Sequence, residues 1–532
     1  MQFLAQAVAS APVESVRGLS WIDWVLIACY GVGMLWLGVW CAQRQENVKD
    51  FFVAGGKMGS FAVGLSIYAT LLSTITYLSQ PGEMIRSGPV ILWAISAYPV
   101  AYLITGYWLI PALMRQRVTS AYEIIAARFG LGARLIAATI FVALRLVWMG
   151  LMLNMCAEAL VEMIGLPDSA QPYVVLISGV VAVGYTALGG LRAVIITDVV
   201  QFVLLFGGAL LTILLVTIHF GGFSWFPTQW VEHWDTQPIF SFDPHTRVTV
   251  VGSIFTGVLW WVCTAGADQT TVQRYMATPD VKTARRSFLV NACAAIALGL
   301  TLALVGFALL GYYLDNSMLL PAGETVRGSA DKLFPRFIAY ELPVGVSGLV
   351  VVALFAAAMS SVDSGVNAVT AVVLTDFIRP FRKTVPEPRQ ELKLSRILTV
   401  AIGVVIVLLN NYIDQVPGNY TAVTNKTVNL LVGPLFMLFV FALFVPSATS
   451  FGAIWGSIYG SAAAVFVGFW DMLTGLDPLS FQWITPVSLI VNGIVGWGLS
   501  QVSNERWSPR LWLGASVIVA VPIVVAFSLI VF

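Results

Sequence analysis

The sequence predicts an all-α integral membrane protein with about fourteen transmembrane helices. Two observations carry this prediction. Of the 532 residues 58% are apolar and 10% charged, whereas soluble domains average about 25% charged, so too few charges remain to cover a water-facing surface. The apolar residues also form long continuous runs rather than ten-residue alternations, which suits helices that satisfy their own backbones and not the strands of a barrel. A bilayer core about 30 Å thick needs roughly 20 apolar residues per helix. Such runs lie at 21–41, 61–80, 90–113, 134–160, 172–188, 195–220, 249–267, 287–314, 344–375, 396–411, 427–445, 450–473, 483–499 and 510–532.

The run at 21–41 has no basic stretch before it and exceeds the apolar core of a signal peptide, so it reads as the first helix. Asp23 near its start, and Glu158 near the end of the fourth run, are placed to snorkel to the interface. Hydroxyls crowd the second run (Ser66, Thr70, Ser73, Thr74, Thr76, Ser79), and Pro81-Gly82 is expected to end it. Such side chains satisfy backbone groups freed where a helix unwinds, and the unwound carbonyls can coordinate cations. The seventh run, five later, is interrupted by Ala265-Gly266-Ala267 ahead of Asp268. Two interrupted spans at corresponding positions of two five-helix halves point to an inverted-repeat transporter.

Ionisable groups at membrane depth cost about 2.5–3.5 kcal/mol on insertion scales, so Arg145, Asp198, Asp268 and Asp363 each call for a partner or a function. In the ninth run Ala357, Ser360, Ser361 and Ser364 fall at i, i+3, i+4 and i+7, one helix face of small side chains and hydroxyls, with Asp363 and Asn367 adjacent. That stripe suits a cation preferring hard oxygen ligands, a preference of calcium and magnesium that extends to sodium. A small-residue packing surface is the other reading. Arg145 offers a fork that pairs carboxylates bidentately; a structural pair with a membrane carboxylate is its alternative. Trp148, Trp260 and Trp261 read either as gate or stacking residues or as packing.

The basic residues set an orientation. Twenty of the 28 Lys and Arg fall in the odd-numbered connections between runs, Arg274 among them, and seven on the other side. By the positive-inside rule both termini face outward. A net charge of +1 leaves no footprint for nucleic acid. The five cysteines lie in apolar stretches and read as inert thiols, and three histidines in one short stretch cannot build a dispersed metal site or triad. No phosphate-cradling glycine loop followed by Lys-Ser/Thr is present, which excludes an ATP motor within this chain. A channel, a secondary transporter or a membrane enzyme remain, the last disfavoured for want of a nucleophile and base. Nothing calls for an obligatory protein partner.

At several of these residues the chain resembles the sodium:solute symporter family, which includes sodium/glucose, sodium/iodide, multivitamin and bacterial sialic-acid and proline carriers. The resemblance spans about residues 20–450. It rests on Asp50-Phe51-Phe52-Val53-Ala54-Gly55-Gly56, Thr119-Ser120-Ala121-Tyr122-Glu123 with Arg128-Phe129-Gly130, Gly189-Gly190-Leu191-Arg192-Ala193-Val194 before Thr197-Asp198, Asp268-Gln269 with Val272-Gln273-Arg274, and Met359-Ser360-Ser361. It implies a LeuT-type 5+5 inverted repeat. Residues 1–60 would then be an outer segment with the first peripheral helix, 61–449 the ten-helix core, and 450–532 three peripheral helices.

The resemblance further implies sodium as the coupling ion. The family's common site maps onto the carbonyls of Ala69 and Leu72 with Ala357, Ser360 and Ser361. A second site maps onto Asp198, Ser360 and Ser364, with Asp363 where the family has a hydroxyl, leaving open whether that carboxylate strengthens the site or is paired elsewhere. Leu71, Ile75 and Thr76 depart from the galactose carriers, while the 72–77 stretch and Arg145 are similar to the sialic-acid branch, with Ser73 and Thr76 completing a substrate cavity. The implied activity is sodium-coupled import, by alternating access, of a small organic solute, anionic like sialic acid or another carboxylate. A neutral sugar, a small inorganic anion, or a channel are the alternatives. A sensor on the same fold would carry a fused signalling domain, which is not expected after a last span running to Phe532.

Overall fold

The computed structural model describes residues 19–519 except 44, 73, 165, 237, 239, 322, 385, 410–419, 505–509 and 512. All regular structure among them is helical. The principal helices are α1 (Trp21–Ala42), α2 (Ser60–Leu71), α3 (Thr74–Arg86), α4 (Pro89–Met114, with 3-10 and π turns), α5 (Tyr122–Ile164), α6 (Gln171–His219), α7 (Val250–Ala267), α8 (Gln269–Met276), α9 (Val281–Asp315), α10 (Val346–Val372), α11 (Pro388–Leu409), α12 (Tyr420–Phe444), α13 (Ser450–Gly468) and α14 (Ile484–Val502).

Among the described residues ten helices are long and apolar enough to cross a bilayer unaided, fewer than the fourteen runs. Four features account for the difference, one being that the eleventh run, 427–445, holds an apolar helix too short to cross unaided, Asn429–Phe444. The second predicted span is two helices, α2 and α3, parted at Leu72. The fifth and sixth are one 49-residue helix broken at Gly190 (φ 55°), where the Phe51 backbone carbonyl presses so close that only a residue without Cβ fits. The predicted span at 510–532 lies largely outside the described residues, its described part being helical.

Two boundaries differ from expectation. Helix α3 runs through Pro81-Gly82 to Arg86. Gly306 of α9, lacking a Cβ, leaves room for the Pro81 backbone, whose carbonyl would stand 2.7 Å from one. Asp23 does not snorkel. It is buried, caps its own helix through Ser20, and accepts the Gly345 and Gly348 N–H groups at 2.8 Å each, tying α1 to the start of α10. Glu158 is exposed, as placed.

The layout centres on α10, buried along nearly all its length, which packs on α6, α5 and α2. Helix α9 covers α2 and α3, and α13 pairs with α14 at one side. Ahead of α2 the short helix Val48–Val53 buries Phe51 and Phe52, then Ala54, Gly55 and Gly56 take positive φ (48°, 66°, 71°) and turn the chain by 115° into α2. The Gly-Gly pair in that motif is thus needed for backbone shape.

Candidate functional site

Both interruptions expected from the sequence are present, and they are alike. Helix α2 ends at Leu72 with φ −76°, ψ 115°, and α7 ends at Asp268 with φ −75°, ψ 121°. Each residue is extended and parts two consecutive helices, the second break falling in the fifth apolar run after the first. Asp268 then caps α8, accepting the Thr270 N–H at 2.8 Å and hydroxyl at 2.6 Å. Ser73, beside the first break, lies outside the described residues.

The last-turn carbonyls of α2 lie at the negative end of its dipole, where the helix stops at Leu72. Helix α10 meets them with its hydroxyl stripe. Ser360 Oγ is 2.9 Å from the Ala69 carbonyl oxygen and 3.0 Å from that of Ala357, while Ser361 Oγ is 3.2 Å from the Thr70 carbonyl and 3.4 Å from that of Leu72. Both serines are fully buried. Backbone and hydroxyl oxygens of α2 and α10 thus gather in one buried place, the kind of hard-oxygen set that suits a small cation. The five residues expected at the common sodium site are therefore together, with Thr70 added.

One turn along, Asp198 and Ser364 come together on Arg274, and Asp363 joins them through Ser364. Arg274, counted among the inner-loop cations, is wholly buried. It donates to Asp198 Oδ2 at 3.0 Å, Ser364 Oγ at 2.6 Å, Ser66 Oγ at 2.7 Å and the Thr270 carbonyl at 2.8 Å. Ser66 donates to the same Asp198 oxygen at 2.5 Å; Asp198 Oδ1 is buried with no partner among the described residues. Ser364 donates to Asp363 Oδ1 at 3.0 Å, and Tyr185 donates to Asp363 Oδ2. Arg274 was misplaced because the short polar helix α8 follows the α7 break and folds back into the protein, whereas a charge count treats residues past an apolar run as a loop. Its i, i+4 relation to Thr270 on a helix was the available signal.

Arg145 donates to Asp268 and, at 3.1 Å, to the Thr270 hydroxyl. The pair is 4% and 6% exposed. Arg145 Nε remains buried without a partner among the described residues, as do Trp148 Nε1 and Thr264 Oγ1. All three residues line one small cavity of about 20 Å³, walled by Leu71 and Trp260. Those two residues also wall a larger cavity of about 270 Å³, lined along α3 by Thr76, Ser79, Gln80 and Glu83. Trp260 and Trp261 meet edge to face at 4.8 Å. Beyond the second break, Gln269 donates to the Thr119 carbonyl at 2.8 Å and accepts from the Ala121 N–H at 2.7 Å, and Gln273 donates to the Phe52 carbonyl at 2.6 Å and to Asn367 at 2.9 Å.

Two helices broken at equivalent places, with buried oxygen atoms gathered at one break and a cavity beside them, are the arrangement of a secondary transporter of the LeuT type. Residues 51–460 match the sodium:solute symporter family, and the chain belongs to that family. It is 30% identical to the sodium/sialic acid symporter SiaT of Proteus mirabilis, over 85% of this chain and 90% of that one. It is likewise 30% identical to the sodium-dependent multivitamin transporter of Oryctolagus cuniculus, over 86% and 72%. A solved structure of a Na+-coupled sialic acid symporter, outward-open and substrate-bound, superposes with a TM-score of 0.78 at 26% identity, covering 91% of this chain and 98% of that one. The nucleobase-cation-symport-1 transporter Mhp1, at 16% identity and a TM-score of 0.53 over 86% and 96%, shares the fold.

Proposed function

We propose that this symporter imports a small organic carboxylate of the sialic-acid kind, the carboxylate being held by Arg145. The observation carrying the reading is the trio of unpartnered buried donors, Arg145 Nε, Trp148 Nε1 and Thr264 Oγ1, around one cavity. Each buried group left unsatisfied costs about 1–3 kcal/mol, which an anion entering among them would recover. Asp268 neutralises the guanidinium's charge but leaves its Nε edge, so the arginine supplies directed hydrogen bonds rather than bare charge. Relatives described as sialic acid symporters support the same substrate class. Thr76 lines the larger cavity through which the solute would arrive, and Ser73 is proposed to join it.

The transport cycle follows from the breaks. Sodium at Ala69, Leu72, Ala357, Ser360 and Ser361 holds α2 against α10, the solute enters from the cavity side, and rocking of the core opens the opposite side. A second ion is proposed at Asp198, Asp363 and Ser364, where Asp198 Oδ1 has no partner among the described residues and Ser364 bridges Arg274 and Asp363. We place the core at 61–449 with both termini outside.

The test is sodium-dependent binding of N-acetylneuraminate to purified protein. Arg145→Ala should weaken it at least about tenfold, and Arg145→Lys should not restore it, because an ammonium cannot reproduce the planar fork. Full affinity in Arg145→Ala would reassign the residue to structure, and binding of a neutral sugar or of iodide in place of carboxylates would favour the other solute classes.

A further inference from the structure

The larger cavity has a chemically distinct far end. Thr76, Ser79, Gln80 and Glu83 stand at i, i+3, i+4 and i+7 on α3, a single polar face, and all four line the cavity. Gln80 spends its amide N–H on the Gly299 carbonyl at 2.6 Å. Glu83 is 2% exposed. One of its oxygens, Oε1, accepts from Arg247, which also reaches Asp235 at 3.1 Å. The other, Oε2, is buried with no partner among the described residues.

An ionised carboxylate can only accept, and an unpaired buried acceptor on a cavity wall is costly unless a ligand completes it. We propose that Glu83 is a substrate-binding residue whose Oε2 accepts from an O–H or N–H donor at the end of the solute remote from its carboxylate. The cavity system is then bipolar, with orphan donors at Arg145, Trp148 and Thr264 behind the shared Leu71–Trp260 wall and an orphan acceptor at Glu83. Its solutes carry a carboxylate at one end and a hydroxyl, amide or ammonium at the other; a plain aliphatic acid is discriminated against. The inference rests on the Arg145 reading for the carboxylate end and adds the second end.

A matched series separates the two ends: hexanoate, 6-hydroxyhexanoate and 6-aminohexanoate, with methyl 6-hydroxyhexanoate as the ester control, titrated with sodium against the full-length protein and its variants. In the unmodified protein the hydroxy and amino acids should bind about tenfold tighter than hexanoate, as expected of a hydrogen bond to a charged group. Glu83→Ala should bring that ratio close to one. Glu83→Gln should reduce it for the ammonium more than for the hydroxyl. Arg247→Ala, which breaks the ion pair but leaves the carboxylate in the cavity, should keep the ratio; this separates a ligand from a tie between α3 and the outer loop. Sodium-induced thermal stabilisation of each variant checks that it is folded. A ratio near one in the unmodified protein, a ratio surviving Glu83→Ala, an Arg247→Ala variant that loses it, or no binding by any of the three acids overturns the assignment. An ester binding as tightly as its acid would sink the Arg145 reading while leaving the Glu83 ratio readable.

Discussion

Ser360 and Ser361 set their hydroxyls among four backbone carbonyls of α2 and α10, and these oxygens are the proposed sodium ligands. Replacing both by alanine would remove two of those proposed ligands and leave the α2 carbonyls without the hydroxyls that meet them. Ser360→Ala with Ser361→Ala is therefore expected to abolish sodium-stimulated uptake in proteoliposomes while the purified protein keeps a cooperative melt; unaltered stimulation would refute the site. These ligands were legible because a helical stripe has a fixed period, so Ala357, Ser360, Ser361 and Ser364 share a face in any fold. Arg274, Tyr185 and the Arg145–Asp268 pair were not. Each partner lies far along the chain, and no local pattern announces which buried charge meets which.

At the level of elements, the breaks near Leu72 and at Asp268 were legible as small or hydroxyl residues inside apolar runs, whereas Gly189-Gly190 read as a connection between two spans that the structure joins into one bent helix. The continuation of α3 through Pro81 was not, because it depends on Gly306 of a helix more than two hundred residues away. Nor was Asp23, whose position near a helix end suggested solvent when it instead receives the first free N–H groups of α10. Helix N-termini lose about 0.5–2 kcal/mol when a capping acceptor is removed. Asp23→Ala should lower the unfolding midpoint measured by differential scanning fluorimetry by a few degrees, with sodium affinity falling in step if α10 shifts; Asp23→Asn, which keeps an acceptor, should recover most of the loss. An unmoved midpoint in the alanine variant would show that the cap bears no weight.

For the whole molecule, the coupling energy decides how many ions an anion carrier needs. One charge entering down 100 mV releases about 2.3 kcal/mol, and a tenfold gradient adds about 1.4. Two ions thus supply roughly 7 kcal/mol, of which a monoanion returns about 2.3, leaving enough for more than a thousandfold accumulation. One ion would leave only about 1.4, or tenfold. The Asp198–Arg274–Asp363 cluster matters for this reason. Asp363→Asn should reduce the Hill coefficient of sodium activation from about two to about one and cut the accumulation ratio. A coefficient of about two persisting in that variant would place the second ion elsewhere.

The amino-acid order by itself determined that this chain lives in a bilayer as helices, that two of its spans are interrupted, which family it belongs to, and which face of α10 carries the hydroxyl stripe, because composition, run length and helical period are properties of the chain alone. Only the tertiary structure decided what the buried charges do. It brought Arg274 out of a supposed loop and between Asp198 and Ser364, paired Arg145 with Asp268 while leaving its Nε without a partner among the described residues, and set Glu83 on the wall of a cavity. The physical reason is that a charge in a dry interior is governed by its neighbours in space, and chain folding alone chooses those neighbours.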